Sequence, residues 1–468
     1  MKKIFALSLL LAFFGSCGTV YEGELTGVPG RPRYFEQIPV GMVFVPQGSF
    51  NMGPSDQDVG FAQNSFTNTV TVQPFYMDDT EITNNEYRQF VFWVKDSLLR
   101  ELIGEVLEDE FRVITDAYGN DLEEDLYGRA YRLNWDEKLD MGKLSENEDV
   151  RQAVENLYYA KEDRFFGRKE INVHKLNYRY FWIDLQQAAK RENAFQNAFN
   201  EDIADLSEEP GQYNGTVIDQ EGNEIVIEGR RSFILRDVVN VYPDTLCWIR
   251  DFTYSYNEPM ATMYFWHPSY DQYPVVGVTW KQAQAFCVWR TELLNSVLAA
   301  SGDYFIQDYR LPLETEWEYA ARGEYENSMY PWGGVYTRNQ DGCYLANFKP
   351  LRGNYAFDGA VTTQAVGFYS PNNYGLYDMA GNVAEWCANA YDESAYFFYH
   401  DLNPDYKYNA TSQDNPVMKR KVIRGGSWKD IAYYLQVSTR TYEYQDTATS
   451  YIGFRCVRSY MGTRPMGE

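Results

Sequence analysis

Three histidines, six cysteines and a run of alternating glutamates are the groups in this chain best suited to chemistry. His174, His267 and His400 stand far apart, and none has a second histidine at helical spacing. Neither an imidazole-held metal nor a histidine general base with a neighbouring nucleophile is therefore spelled out. His267, between Trp266 and Pro268, has the setting of a packed or surface ring. No glycine-rich phosphate loop is present, because Gly333-Gly334 and Gly425-Gly426 sit in turn contexts that ask for positive φ. Nucleophilic and metal-redox catalysis have little to work with. What the chain holds in surplus is aromatic: Tyr391, Tyr396, Phe397, Phe398 and Tyr399 crowd one short segment. Two readings stand for them, a binding face and the filling of an irregular core.

The elements that must position these groups are mixed. Residues 85–106 carry apolar side chains at Phe90, Val91, Val94, Leu98, Leu102 and Val106, the spacing of an amphipathic helix. Further on, Leu176–Ala198 holds a Tyr/Phe/Trp cluster followed by an expected helix over Gln186–Phe199. Asn200–Pro210 is acidic and reads as a loop. Thr216–Ile218 and Glu224–Ile227, split by Asp219–Asn223, read as a hairpin, and Arg231–Tyr242 supplies a further strand. Aromatics make up 17% of the chain, with 40 tyrosines, and Leu-rich helical stretches are scarce, which suits a turn-rich α+β protein better than a bundle. The formal charge of −25 argues against nucleic acid, since phosphate binding asks for a basic surface.

The N-terminus carries an address. Met1-Lys2-Lys3 is a basic start, Ile4 to Phe14 an apolar stretch too short for a membrane span, and Gly15-Ser16 precede Cys17. This is the pattern of a bacterial lipoprotein signal, with Cys17 as the acylated first residue, although Phe14 stands where leucine is usual. An ordinary secretory signal with a chance cysteine is the alternative. Residues 1–16 are then the signal peptide and 17–37 the acylated terminus and tether, with Gly and Pro frequent over 18–33. Five cysteines remain in a chain expected to be exported to an oxidising compartment.

A series of motifs runs through the rest. Met42–Gly53, Pro74–Asp78, Glu81–Tyr87, Pro274–Trp280, Arg310–Gly323, Tyr330–Gly333, Gly375–Trp386, Arg424–Trp428 and Gly453–Val457 follow one another in order. Together they resemble the formylglycine-generating-enzyme (sulfatase-modifying-factor) family. That resemblance implies an irregular α+β fold, C-type-lectin-like, over residues 38–95 and 272–458. A long insertion then occupies 96–271, longer than an ordinary loop, and 459–468 is a C-terminal tail. It implies that Met42–Gly53 is an opening strand pair and that the Glu314, Glu316 and Glu318 segment starts a structural helix. The family enzymes do without the insertion, so the framework is expected not to need it for its own core. The insertion becomes the expected platform for partners.

The resemblance also says what is missing. In the family, two thiols follow the Arg-Gly-Gly-Ser-Trp turn, and here their places hold Asp430 and Leu435. A carboxylate and an isobutyl group cannot replace the soft thiolate pair that holds copper, so the implied chain is not an enzyme and binds no copper. Cys287 and Cys456 occupy places that pair as a disulfide in the family. A second family pair would fall at Ala321 and Arg440 and is absent. Cys343 and Cys387 are left as a pair no pattern supports, with Cys247 odd. Calcium is the cofactor implied, structurally. One set of ligands maps onto Asp378 and Glu385 with the carbonyls of Gly381 and Val383; the other maps onto Asn347 and Asp358 with the carbonyls of Phe348 and Ala360.

Within the family, Phe90–Ser97 and Val241–Phe252 resemble the lipoproteins of gliding motility and the type IX secretion system of Bacteroidota. The implied role is a homo-oligomeric periplasmic ring, lipid-anchored under the outer membrane. Its implied partners are a GldN (PorN)-type ring subunit and, through that subunit, the transmembrane motor subunits GldL and GldM. Two other readings stay open: a formylglycine-type oxidase using other residues, and a module that binds glycan or peptidoglycan.

Overall fold

In the computed structural model the described residues are 36–54, 67–116, 118–195, 215–252, 257–350 and 352–462, with Val28, Tyr34 and Tyr213 besides. Cys17, the signal and most of the tether lie outside them, as does Asn200–Pro210. Residues 38–461 pack as one unit.

Four short strands open the unit: β1 (Met42–Val45), β2 (Gly48–Met52), β3 (Asn68–Val72) and β4 (Phe75–Asp78). β1 and β2 do not pair with each other, contrary to the expected opening pair. β1 pairs antiparallel with β4, placing Met42 opposite Asp78, and β2 pairs with β3. Only two residues separate β1 from β2, and each strand has found its partner on the far side of the 53–67 segment. Helix α1 (Asn84–Ile103) follows. Thr83 begins it with a capping box: its hydroxyl accepts the Glu86 N–H, and Glu86 returns to the Thr83 N–H at 2.8 Å. The expected helix over 85–106 is thus found, stopping at Gly104.

The insertion contributes the short helix α2 (Glu148–Glu155), β5 (Asn177–Ile183), the hairpin β6 (Thr216–Ile218) and β7 (Glu224–Val226), β8 (Ile234–Asn240) and α3 (Cys247–Asp251). β5 and β8 run antiparallel in full register, Asn177 opposite Asn240. Among the described residues the helix expected over Gln186–Phe199 is one turn, Leu185–Ala188, and 196–199 lie outside them. Asp184 caps that turn, and extended backbone at Lys190 leads into a second short turn, Arg191–Asn193, instead of a longer helix.

The insertion is not a detached subdomain. Leu176, Tyr178, Tyr180, Val241 and Phe265 belong to the same apolar cluster as Tyr87 and Phe90 of α1 and Phe286 and Trp289 further on. Tyr178 meets Phe90 edge-on at 5.3 Å, and Tyr87 stacks on Phe286 at 5.6 Å. The expectation of a framework core independent of the insertion is corrected: the large aromatics of 176–265 fill the middle of it.

The remaining framework is α4 (Trp280–Ser301), β9 (Tyr309–Arg310), α5 (Glu314–Arg322), β10 (Ala384–Ala390), β11 (Arg420–Arg424), β12 (Thr441–Tyr444), β13 (Ile452–Gly453) and β14 (Val457–Ser459). α4 repeats the capping box with Thr279 and Gln282 and ends on Gly302 at φ 75°. One sheet runs β1–β4–β14–β9 and a second runs β12–β11–β10–β13. β10 is buried at every residue, with a register shift between Trp386 and Ala390 where it pairs with β11. These two sheets and α5 hold the turn that follows β11.

Candidate functional site

β11 delivers Arg424 into the interior, and the chain then reverses through Gly425 (φ 90°) and Gly426 (φ 67°). A methyl group on Gly426 would lie 2.7 Å from the Tyr434 carbonyl, so only glycine fits there. The turn is built by backbone approach. At Gly333 the expected positive φ is also found, but Gly334 is not among the residues with positive φ.

Past the turn, Ser427 is fully buried and its hydroxyl is bonded to Asp430 Oδ2 at 2.6 Å. Burial pushes the Asp430 carboxyl above the usual range, against the pull of the Ser427 hydrogen bonds and Lys429. Leu435 is fully buried with Tyr330, Ala346, Phe348 and Ala380. The two places where the resemblance implies thiols therefore hold a hydrogen-bonded acid and a piece of apolar core.

The insertion closes over this turn. Trp428 lies nearly parallel to Trp248 (5.9 Å, 20°) and to Phe252 (5.5 Å, 15°), and its indole N–H donates to the Ser450 carbonyl. Lys429 Nζ reaches Asp251 at 2.5 Å, and Ser450 Oγ bonds the other oxygen of the same carboxylate. α3 and the residues just after it thus lie across the Gly-Gly-Ser-Trp turn as a stacked aromatic and ion-paired cover.

Beneath the turn the segment expected only as a helix start carries a buried ion network. Glu314 and Glu318, one turn apart on α5, are completely buried. Arg424 reaches Glu318 at 2.6 Å and Glu314 at 3.0 Å. Arg440 donates to Glu314 at 2.9 Å, and Arg322 to Glu318 at 2.6 Å. Burial pushes the Glu314 carboxyl up, but Arg440 and Arg424 more than offset it and hold the group below the usual range. Glu316 sits apart, bidentate to Arg310 and accepting the Leu313 N–H. The i, i+4 spacing of Glu314 and Glu318 was the available signal; only the fold shows that Arg424 and Arg440 face it. Arg440, at the place where the resemblance implies half of a second disulfide, is an ion-pair partner here.

The calcium candidates are drawn into other contacts. Glu385 is fully buried, with both oxygens on the Arg455 guanidinium (2.6 and 2.7 Å) and a further bond from the Trp317 indole. Asp378 accepts the Gly367 N–H, and burial pushes its carboxyl up to about 6. Glu81, unremarked in the sequence, lies beside it: burial first, then Asp378, raises its carboxyl too, and one of its oxygens has no hydrogen-bond partner. Gly381 donates its N–H to the Gly425 carbonyl, and the next residue, Asn382, donates its N–H to the Asn347 carbonyl. In that set the Asn347 amide donates to the Thr362 carbonyl, and Asp358 accepts the N–H groups of Phe348 and Ala360. A carboxylate saturated by a guanidinium, and N–H groups turned toward an acid, fit turn capping and not a cation cage. Val383, fully buried, packs in the cluster of Trp248 and Trp428. Among the described residues no three His, Cys, Asp or Glu side chains group as a metal site.

The other candidates fall as follows. The Cys287 and Cys456 sulfurs stand 3.5 Å apart, both buried, within hydrogen-bond reach and not joined as a disulfide. Cys343 is exposed whereas Cys387 and Cys247 are buried. His267 and His400 each accept a backbone N–H two residues on, closing turns. The aromatic segment divides: Tyr396 is buried against Arg424 and Tyr399 donates to Glu314, while Phe397 and Phe398 are exposed. No helix among the described residues is long and apolar enough to cross a membrane.

Comparison with known proteins agrees with this framework. The model of the sulfatase-modifying factor enzyme 1-like domain matches residues 32–460. The inactive C-alpha-formylglycine-generating enzyme 2 of Bos taurus is 34% identical over 203 residues, 42% of this chain and 53% of that protein. The formylglycine-generating enzyme of Mus musculus is 29% identical over 195 residues, 41% of this chain and 45% of that one. The chain thus spans about half the length of the curated relatives it matches. Among solved structures, PvdO from Pseudomonas aeruginosa aligns over 92% of this chain and 99% of its own at 16% identity, with a TM-score of 0.40. With its motifs in order around one buried Gly-Gly-Ser-Trp turn, the chain belongs to the sulfatase-modifying factor enzyme 1-like domain family.

Proposed function

We propose that this chain is a non-catalytic member of its family, a structural lipoprotein of the GldK (PorK) type. In that reading it is anchored in the outer membrane through Cys17, faces the periplasm, and assembles with a GldN (PorN)-type subunit into a ring of the type IX secretion and gliding machinery. The observation that carries the non-catalytic part is the closed turn: Asp430 bonded to Ser427, Leu435 in the core, and Trp428 covered by Trp248 and Phe252. A substrate cysteine needs both soft ligands and an open approach, and this arrangement supplies neither. The secretion assignment draws its support from the Phe90–Ser97 and Val241–Phe252 strings. The first crosses from framework into insertion and the second lies within the insertion, with Phe90, Val94 and Val241 in the common core.

Two measurements test the reading. Incubation with a sulfatase-type peptide, with and without copper, is expected to yield no formylglycine; conversion at an enzyme's rate would overturn the non-catalytic assignment. Affinity capture of the chain from envelope extract is expected to retain the GldN-type subunit. Capture on purified sacculus without that subunit would favour the glycan-binding reading instead.

A further inference from the structure

Between the C-terminal end of β5 and the flank of α4 lies an open groove of about 680 Å³. Trp182 and Trp280 face into it, and Ile183 and Leu185 on its insertion side are 60% and 71% exposed. Its polar lining includes the carboxylates Asp184, Glu292 and Asp308. The two cations on its walls are already engaged, Arg310 by Glu316 and Lys407 by Asp405. A groove of this size with indole walls and exposed aliphatic edges suits an apolar tip. Its charge calls for that tip to be flanked by cations.

The same chain carries such a tip elsewhere. Phe165 and Phe166 are 78% and 97% exposed, in a single turn closed by Gly167. Phe166 has φ 53° and Gly167 φ 68°, two successive left-handed residues. For a bulky side chain this conformation is uncommon and strained, so it marks a place where display of the ring outweighs local stability. Arg168, exposed, follows the two rings and is the cation offered with them; Arg164, which precedes them, is engaged by Glu155 at 2.7 Å and fixes the base of the turn. The loop that bears the tip leads into the N-terminal end of β5, and the groove lies at the other end of that strand. A seven-residue strand spans about 20 Å.

We propose that the Phe165–Phe166 turn of one copy seats in the β5–α4 groove of the next, as the repeating contact of the homo-oligomer. This inference rests on the ring reading above. Tip and groove are different surfaces, so the contact is heterologous: each copy has one of each to offer, and the chain of contacts propagates until it closes. Two aromatic anchors in a walled groove are the residue types that dominate interface energies.

The experiment uses the full chain in detergent, with assembly followed by mass photometry and electron microscopy. Phe165→Ser with Phe166→Ser removes the tip; Ile183→Glu with Leu185→Glu spoils the groove. All four positions are exposed, and unchanged thermal midpoints check that each variant folds. Each variant alone is expected to need at least about tenfold more protein than wild type to assemble. Mixed in equal amounts, the two are expected to form dimers and stop there, because one supplies only a groove and the other only a tip. If wild type forms rings and the tip variant forms them equally well, this contact is wrong and the ring reading stands. If the tip variant self-assembles normally but loses the GldN-type subunit, the tip belongs to that partner and the homotypic contact is overturned. If wild type stays monomeric with and without that subunit, the ring reading itself falls, and this inference with it.

Discussion

A dithiol copper site needs two sulfurs that can lose protons and approach one metal, and the residues around Gly426 oppose this at both positions. Leu435 lies in an apolar cluster, where a thiolate would be raised out of reach by burial, and Asp430 is already bonded to Ser427. Installing the missing groups as Asp430→Cys with Leu435→Cys is therefore expected to restore no oxidase activity. The Leu435 change alone should cost on the order of 2 kcal/mol by leaving a cavity. Formylglycine formation by the double variant, with copper, would show that side-chain identity alone had silenced the site. A second residue-scale expectation concerns Asp378. Burial pushes its carboxyl up to about 6, from an ordinary value near 3.8. The folded state thus holds a proton that the unfolded state has released, and this group's stabilising contribution is full below pH 3.8 and lost as pH rises through about 6. Asp378→Asn, which keeps an acceptor for the Gly367 N–H, is expected to raise the thermal midpoint at pH 7.5 and to leave it unchanged near pH 3.5. A midpoint lowered at pH 7.5 would mean that the ionised carboxylate has a partner that matters. What the sequence showed at this scale was substitution: Asp430 and Leu435 could be read by position. It could not show that Arg455 takes both oxygens of Glu385, because those residues are 70 apart in the chain and meet only through the packing of β10 against β13.

Elements were legible where a local rule suffices. The helix α1 has its capping residues and its apolar stripe within one stretch of chain, and the β6–β7 hairpin has its turn residues between its strands. Partner choice was not: β1 and β2 carry no mark saying that each will pair with a later strand. Nor could the apolar pattern of β5 say which core it enters. The structure settles that with Tyr178, which is 4% exposed, meets Phe90 edge-on and donates its hydroxyl to Glu292 at 2.7 Å. Tyr178→Ala is expected to destabilise the whole unit by about 3–5 kcal/mol, the range for losing a large aromatic from a core. Denaturant unfolding should show one transition, with framework and insertion tryptophans melting together. Two transitions, with only the first shifted by the substitution, would mean that the insertion folds on its own core.

For the whole molecule the consequence is that the insertion cannot be treated as a removable platform. Exchange of 108–265 for a short linker takes Leu176, Tyr178, Tyr180, Val241 and Phe265 out of the main core, and Trp248 off the Gly-Gly-Ser-Trp turn. Such a variant is expected to be insoluble, so its failure to bind a partner would say nothing about the interface. Charge is the better handle on the molecule as a whole. With a formal −25, the chain should repel acidic surfaces and, if the ring reading proposed above holds, draw a ring subunit of basic charge from a distance. Association is then steered by the long-range field, whereas dissociation is governed by the contacts once made. Raising ionic strength from about 0.01 M to about 0.15 M shortens the screening length from about 30 Å to about 8 Å. Over that range the rate of association with the GldN-type subunit, followed by stopped-flow or biolayer interferometry, is expected to fall at least about tenfold, with dissociation nearly unchanged. An association rate indifferent to salt would place the recognition on the neutral aromatic surfaces alone and remove the acidic balance of the chain from the account of its assembly.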